Sequence, residues 1–224
     1  MSAASTARRW PNTAQYSKVV ELSPDNAQGY SNLGVVQAAS GNLEAAEKSF
    51  LRALELDPNR ISTITNLAKV YHERGQFDRA IEFYHRVDLH HRSYLWWGNL
   101  GATYKAAGQE EKARQAFDKA VNLITSEILV NPNRGDLHSY LGLYRALLGR
   151  AGYREPLQVA LRLAPADLSI RARVAEAYAI RGDRELAADL VKQLIAAGYD
   201  LKTLLRSPAL RTVQEPAGVR GNNK

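Results

Sequence analysis

An asparagine-leucine-small triplet recurs along the chain, as Asn32-Leu33-Gly34, Asn66-Leu67-Ala68 and Asn99-Leu100-Gly101, at spacings of 34 and 33 residues. A fixed period of that size implies one supersecondary unit copied and stacked, since a single copy cannot bury its apolar face alone. The copy that starts at Ala27 has Tyr30 at position 4, Leu33 at 7, Gly34 at 8, Gly41 at 15, Ala46 at 20, Phe50 at 24, Ala53 at 27 and Pro58 at 32. A second starts at Ile61 and supplies Ile64, Leu67, Ala68, Tyr71, Gly75, Ala80 and Tyr84; a third starts at Tyr94 and supplies Trp97, Leu100, Gly101, Tyr104, Gly108, Ala113 and Phe117. The fourth, from Gly135, is looser, with Leu141, Gly142 and Gly149, and the fifth, from Leu168, offers Val174, Ala175, Tyr178, Gly182 and Ala187. Large residues at positions 4, 7, 11 and 24 fall at helical spacing and predict the buried stripes of two helices. Small residues at 8, 20 and 27 allow those helices to approach within about 8–10 Å. Glycine at 15 ends the first helix and proline at 32 stops the second.

Position for position, this pattern resembles the tetratricopeptide repeat. The resemblance implies an all-α fold, a right-handed superhelical solenoid of helix-turn-helix hairpins over residues 11–213, with repeats at 27–60, 61–93, 94–134, 135–167 and 168–200. Before them, "QYSKVVELSPDN" reads as the second helix of a partial repeat (11–26) that lacks its first. After them, Leu201, Leu204, Leu205 and Leu210 suit a cap over the last apolar face at 201–213. Residues 1–10 and 214–224 have the composition of disordered segments.

Two departures interrupt the pattern. Ala120, Ile124, Glu127, Ile128 and Asn131 keep a helical spacing past the expected stop, so the second helix of the third repeat should run about two turns too long. In the fourth repeat Tyr153 replaces a small residue and Pro156 falls inside the second helix, which should therefore start near that proline and be short. Together with "WGNLGATY", "LVNPNRGD", "LRLAPAD" and "AGYDLKTLLRSPALRTV", these departures resemble the C-terminal repeat region of bacterial multidomain regulators. There the region follows a serine/threonine kinase, an adenylate cyclase or a winged-helix domain, none of which accompanies it here.

Composition narrows the function classes. The chain has no cysteine, which removes disulfides, thiolate metal sites and a cysteine nucleophile. Its net charge of +7 is concentrated at the end: residues 27–200 carry 22 Lys/Arg against 20 Asp/Glu, and residues 201–224 carry five against one. A basic stripe interleaved with aromatics is missing from the folded part, which argues against a nucleic-acid partner. No apolar run reaches the roughly 18 residues of a membrane span, and no hydrophobic segment follows Arg8 and Arg9 as in a signal peptide, so the expected location is the cytoplasm.

No phosphate loop, nucleophile elbow or zinc-protease helix is present, so no catalytic residue, metal site or cofactor is assigned and the chain is read as a non-enzyme. His85, His90 and His91 lack a clear further ligand and read as solvated or capping groups. Trp97 takes the core position 4, and Trp96 is expected against the preceding hairpin. Glu44, Glu47, Glu110 and Glu111 fall at the start of second helices, where they complement the helix dipole.

The resemblance also implies that first helices line a concave groove with positions 2, 5, 6, 9, 12 and 13. That face would present Ser31, Asn32 and Val35, then Asn66, Lys69 and His72, then Gly98, Asn99 and Lys105. It would continue as Ser139, Tyr140 and Leu143, then Arg173 and Glu176. A carboxamide both donates and accepts, so Asn32, Asn66 and Asn99 could pair with the amide units of an extended peptide; first helices about 10 Å apart match roughly three residues of extended chain. The repeat region of O-linked N-acetylglucosamine transferase, to which "NLG" is similar, uses such a ladder. A second role is open to the same residues, bonding neighbouring helices or water. The two-carboxylate clamp of chaperone-tail binders wants Lys and Asn where Ser31 and Val35 stand. The chain is therefore expected to be a protein-interaction scaffold for a protein or peptide partner, the alternative being a sensory region separated from a kinase, cyclase or transcription-regulator partner.

Overall fold

Several helix starts in the repeats are set by short polar side chains just ahead of the apolar stripe. The Asn26 carboxamide accepts from the Gly29 amide at 2.9 Å, Asn42 from Ala45 at 3.2 Å and Ser93 from Trp96 at 3.3 Å, each satisfying a donor that the first helical turn leaves unpaired. Asp167 does the same for Ser169 and Ile170. The computed structural model describes residues 13–214, and among these every regular element is helical. The expectations for residues 1–10 and 215–224 fall outside the described residues, and Gln214 closes the last helix.

The chain divides between Ala113 and Arg114 into two compact units. The first contains α1 (Thr13–Leu22), α2 (Ala27–Ala39), α3 (Leu43–Leu56), α4 (Ile61–Glu73), α5 (Phe77–His85) and α6 (Tyr94–Ala106), with a 3-10 turn at Leu89–His91. The second takes in α7 (Glu110–Val130) from Arg114 onward, then α8 (Gly135–Leu147), α9 (Arg154–Leu163), α10 (Leu168–Arg181), α11 (Arg184–Ala196), α12 (Leu201–Leu204) and α13 (Pro208–Gln214).

In the first unit α2 pairs with α3 and α4 with α5, while α1 packs on α2, α3 on α4 and α5 on α6. The small residues decide how close these helices come. Ala46, Ala53, Ala68 and Ala80 are fully enclosed, and a Cβ added to Gly34 would lie 2.7 Å from the Phe50 ring. Leu33, Leu67 and Leu100 at position 7 are buried with Phe50, Tyr71 and Tyr84. Gly75 ends α4 at φ 73°, where a side chain would be strained, and Asp57 and Pro58 follow the end of α3. Between repeats Glu47 binds Arg74 and accepts from the Tyr71 hydroxyl at 3.1 Å.

The second unit repeats the scheme with α8 on α9 and α10 on α11; α8 packs on α10, and α13 lies against α10 and α11. Ala187 is enclosed, Leu141 is buried, and a Cβ at Gly142 would meet Leu157 and come within 3.0 Å of the Tyr153 carbonyl oxygen. Both departures take the expected form: α7 has 21 residues against 14 in α3, and α9 has 10, with Pro156 in its first turn. Beyond the buried Ile124, α7 carries Leu129 and Val130 largely exposed. Tyr153, in place of a small residue, is buried, and its hydroxyl bonds Asp183.

One core assignment is corrected. Trp96, not Trp97, is the enclosed indole, at 3% exposure, edge-on to Tyr84 at 6.0 Å, whereas Trp97 is half-exposed. Tyr30, also at position 4, is half-exposed, and Ile64 alone among these three is buried. Gly34→Val should therefore lower stability by about 1–3 kcal/mol, the usual cost of overpacking, measured by urea denaturation; an unchanged midpoint would mean that α2 and α3 can separate freely.

Candidate peptide-binding face

In the first unit Asn32, Asn66 and Asn99 occupy the same repeat position on α2, α4 and α6, and α4 touches both of the others. Each is half-buried, because the preceding Ser31, Thr65 and Gly98 and the following leucine turn one side of the helix toward its neighbours. The Asn32 carboxamide oxygen accepts from Gln28 of its own helix at 2.7 Å, and Gln28 in turn accepts from Arg60 at 2.5 Å. Among the described residues nothing hydrogen-bonds the carboxamides of Asn66 and Asn99. Lys69 and Lys105 are exposed, one helical turn and about two turns further along their helices.

His72 is tied into the fold. Its Nδ1 lies 3.1 Å from the Thr103 hydroxyl, which donates to the Asn99 carbonyl oxygen at 2.8 Å. A threonine hydroxyl has one proton. With that proton on the Asn99 carbonyl, the imidazole must donate through Nδ1–H, and Nε2 keeps its lone pair. Burial pushes the His72 imidazolium below its ordinary range, with the charge of Glu73 pulling weakly the other way. Burial also holds the Tyr84 hydroxyl neutral. The bonds of His72 and Thr103 anchor α4 to α6 next to Asn99.

In the second unit Tyr140 on α8 and Arg173 on α10 occupy the asparagine position, and they meet: the guanidinium carbon is 3.6 Å from the centre of the phenol ring. Arg173 also donates to the Ser139 hydroxyl at 2.6 Å, and Ser139 passes its own proton to the Asp136 carbonyl oxygen at 2.7 Å.

Several assignments to the groove need correction. Ser31 and Ser139 are buried, as are Gly98 and Leu143. Ser31 accepts from Thr63 at 2.9 Å between α2 and α4, so position 5 serves the contact between repeats instead of a ligand. Serines and threonines recurring at positions 3, 5 and 10 were the available signal, since a hydroxyl on a buried helix face needs a partner. His85 ends α5 with Nε2 2.9 Å from the Tyr104 hydroxyl, while His90 and His91 are exposed in the 3-10 turn. Among the described residues no three His, Asp or Glu side chains gather as a metal site, and no helix is long and apolar enough to cross a membrane.

Models of the tetratricopeptide repeat match residues 25–87 and 97–126. The tetratricopeptide repeat-containing protein trd-1 of Caenorhabditis elegans is 29% identical over 146 residues, which is 61% of this chain and 19% of that one. The photosystem I assembly protein Ycf3 of Synechococcus is 28% identical over 130 residues, 51% of this chain and 75% of that one. The chain thus spans about a fifth of the first relative and three quarters of the second. The crystal structure of a thermophilic TPR protein in Thermus thermophilus superposes with a TM-score of 0.63 at 26% identity, covering 84% of this chain and all of that one.

Because the folded His72 resists protonation, acid should weaken the first unit. Above about pH 6.5 both states hold the neutral ring; as pH falls below that value the unfolded chain takes up the proton first and gains relative to the folded one. The melting temperature of the native chain should drop more between pH 7 and pH 5 than that of His72→Gln; parallel curves would contradict the buried neutral imidazole.

Proposed function

The chain belongs to the tetratricopeptide-repeat family, whose members generally mediate contacts between proteins, and on that premise we propose that it is a non-catalytic adaptor that takes an extended peptide along its first helices. The observation that carries this reading is the uncommitted state of the Asn66 and Asn99 carboxamides, which have no hydrogen-bond partner among the described residues. A donor and acceptor pair on a half-buried surface is an incomplete hydrogen-bonding site, and a peptide amide completes it with both groups at once. Asn32 differs only in an exposed bond to Gln28, which a ligand can replace at small net cost. Lys69 and Lys105 border the same helices with exposed cations. In this reading the network of His72, Thr103 and Asn99 fixes the backbone that carries the third carboxamide.

Main-chain recognition of this kind tolerates many ligand sequences, which suits an assembly or scaffolding role. Ycf3, similar over half of this chain, is a photosystem I assembly protein, which is in keeping with an assembly role here. The lengthened α7 and shortened α9 favour a second reading, that of a regulatory repeat region acting with a separate kinase, cyclase or transcription regulator. Binding of such a folded domain at sites away from the asparagines would support that reading over the first.

The combined change Asn32→Ala, Asn66→Ala and Asn99→Ala should weaken binding of peptides selected from a random library by at least ten-fold, read by fluorescence anisotropy. The melting temperature should move by no more than a few degrees, because two of the three side chains hold nothing in the fold. A sharp loss of stability would make the asparagines structural and sink the proposal.

A further inference from the structure

Where the first repeat meets the second, a carboxylate ties a phenol to its neighbouring cations; where the second meets the third, the phenol and cations remain and the carboxylate is gone. At the earlier junction Tyr71, at position 11, donates from its hydroxyl to Glu47, at position 21 of the preceding repeat, at 3.1 Å. The guanidinium of Arg79, at position 19, lies 4.3 Å from the centre of the Tyr71 ring and 3.6 Å from Glu47, and Arg74 binds the same carboxylate. One repeat later the phenol is Tyr104 and the cation is Lys112, its ammonium 5.6 Å from the ring centre, whereas Ile81 stands at position 21. The Tyr104 hydroxyl meets His85 Nε2 at 2.9 Å instead.

A second cation is fixed beside this pair. The Arg92 guanidinium lies 4.5 Å from the centre of the Trp96 ring and 5.7 Å from that of Trp97. Its Nε–H donates to the Val87 carbonyl oxygen at 3.0 Å, which orients the group and leaves its terminal NH2 groups without a hydrogen-bond partner among the described residues. Glu82, Asp88, Glu110 and Glu111 lie on α5, on the adjoining turn and at the start of α7, yet among the described residues neither Arg92 nor Lys112 forms an ion pair. Desolvation first, and then the charges of Arg92 and Lys112, push the His85 imidazolium below its ordinary range, so both cations act on the ring with no carboxylate offsetting them. The neutral pair holds two polar hydrogens and spends one internally. If the phenol donates to Nε2, Nδ1–H is free; if the imidazole donates, the phenol O–H is free. Two cations and one further donor thus converge from α7, from the turn before α6 and from the His85–Tyr104 pair, with His85 and Lys112 exposed and Arg92 half-buried. All of these residues lie in the first unit.

Donors arriving from separate elements suit a tetrahedral anion with several acceptor oxygens, and two fixed cations balance a double charge; a flat carboxylate takes two in-plane bonds from a single fork. We propose that Arg92, Lys112 and the His85–Tyr104 pair form a phosphate-binding site, in which the dianion of free phosphate or of a phosphorylated side chain takes the part that Glu47 plays one repeat earlier. The site uses none of the three asparagines and stands apart from the peptide-binding reading.

The test uses the full chain at constant ionic strength and about pH 7.5, where phosphate and its monoesters are mostly dianionic. The His85 Cε1–Hε1 resonance, assigned by its absence in His85→Gln, is followed by NMR. Inorganic phosphate supplies the free ion, N-acetyl-O-phosphoserine amide the phosphorylated side chain, dimethyl phosphate a singly charged diester and N-acetylglutamate amide a carboxylate. Saturable shifts with one or both dianions support the site, and the tighter of the two identifies the source it prefers. Binding should weaken at least five-fold in Lys112→Gln, whose exposed side chain forms no ion pair among the described residues. Ile81→Glu, which restores a carboxylate at position 21, should abolish the shift while the chain melts cooperatively; if that variant does not fold, Lys112→Gln decides. The triple asparagine variant should titrate as the native chain does. The proposal is overturned if the His85 shift does not saturate, if Lys112→Gln binds as the native chain does, or if the diester or the carboxylate binds as tightly as the dianions.

Discussion

The close approach of paired helices at small residues is the constraint on which the other features depend. Ala46 and Ala80 are completely enclosed, and Gly34 faces the Phe50 ring with no room for even one added carbon. Contact at that range fixes how far α2 can slide or rotate on α3, because packed side chains cannot interpenetrate. Gly142 against Leu157 does the same for α8 and α9. Once the hairpins are rigid, a residue at a given position returns at an equivalent place in successive repeats, as Asn32, Asn66 and Asn99 do on α2, α4 and α6.

Polar contacts then determine which positions remain available. The hydroxyl bond from Thr63 to Ser31, the bond from Arg173 to Ser139 and the link from His72 to Thr103 all join one first helix to the next. Buried groups of this kind need partners, and each satisfied pair specifies a single register between helices at modest net stabilisation. In the first unit the side chains at position 6 lie beside these contacts and take no part in them, whereas in the second Arg173, itself at position 6, makes one. In the first unit it carries neutral carboxamides; in the second it carries a cation on an aromatic ring. The two units therefore offer different chemistry on equivalent helices.

Much of the fold was legible in the sequence because its cause is local and periodic. Leu67, Ala68 and Ala80 are buried where the repeat puts them, and the lengths of α7 and α9 follow from a helical spacing that continues to Asn131 and from a proline that can only sit in a first turn. What could not be read depends on contacts between repeats. Position 4 is a core position in Ile64 but a half-exposed one in Tyr30 and Trp97, since a large ring reaches past its own hairpin and its burial is set by the neighbour. Trp96 packs on Tyr84 of the preceding hairpin, as its position implies, but its near-complete burial comes from contacts between repeats that periodicity does not give. Periodicity gives the side of the helix on which Ser31, Gly98, Ser139 and Leu143 lie, and the angle between successive hairpins decides how much of that side is covered. Over residues 27–200 the charges nearly balance, although a neutral first unit contrasts with a basic second one.

In the proposed peptide-binding role, the carboxamides of Asn66 and Asn99 are unoccupied in the free chain and become engaged by a peptide main chain. Exchange of their Nδ2 protons with solvent, measured by NMR before and after addition of a library-selected peptide, addresses this directly. Rapid exchange in the free chain, as for a solvent-facing amide, and slowing of at least ten-fold in the complex are expected. Protection in the free chain, or exchange that the bound peptide leaves unchanged, would contradict it.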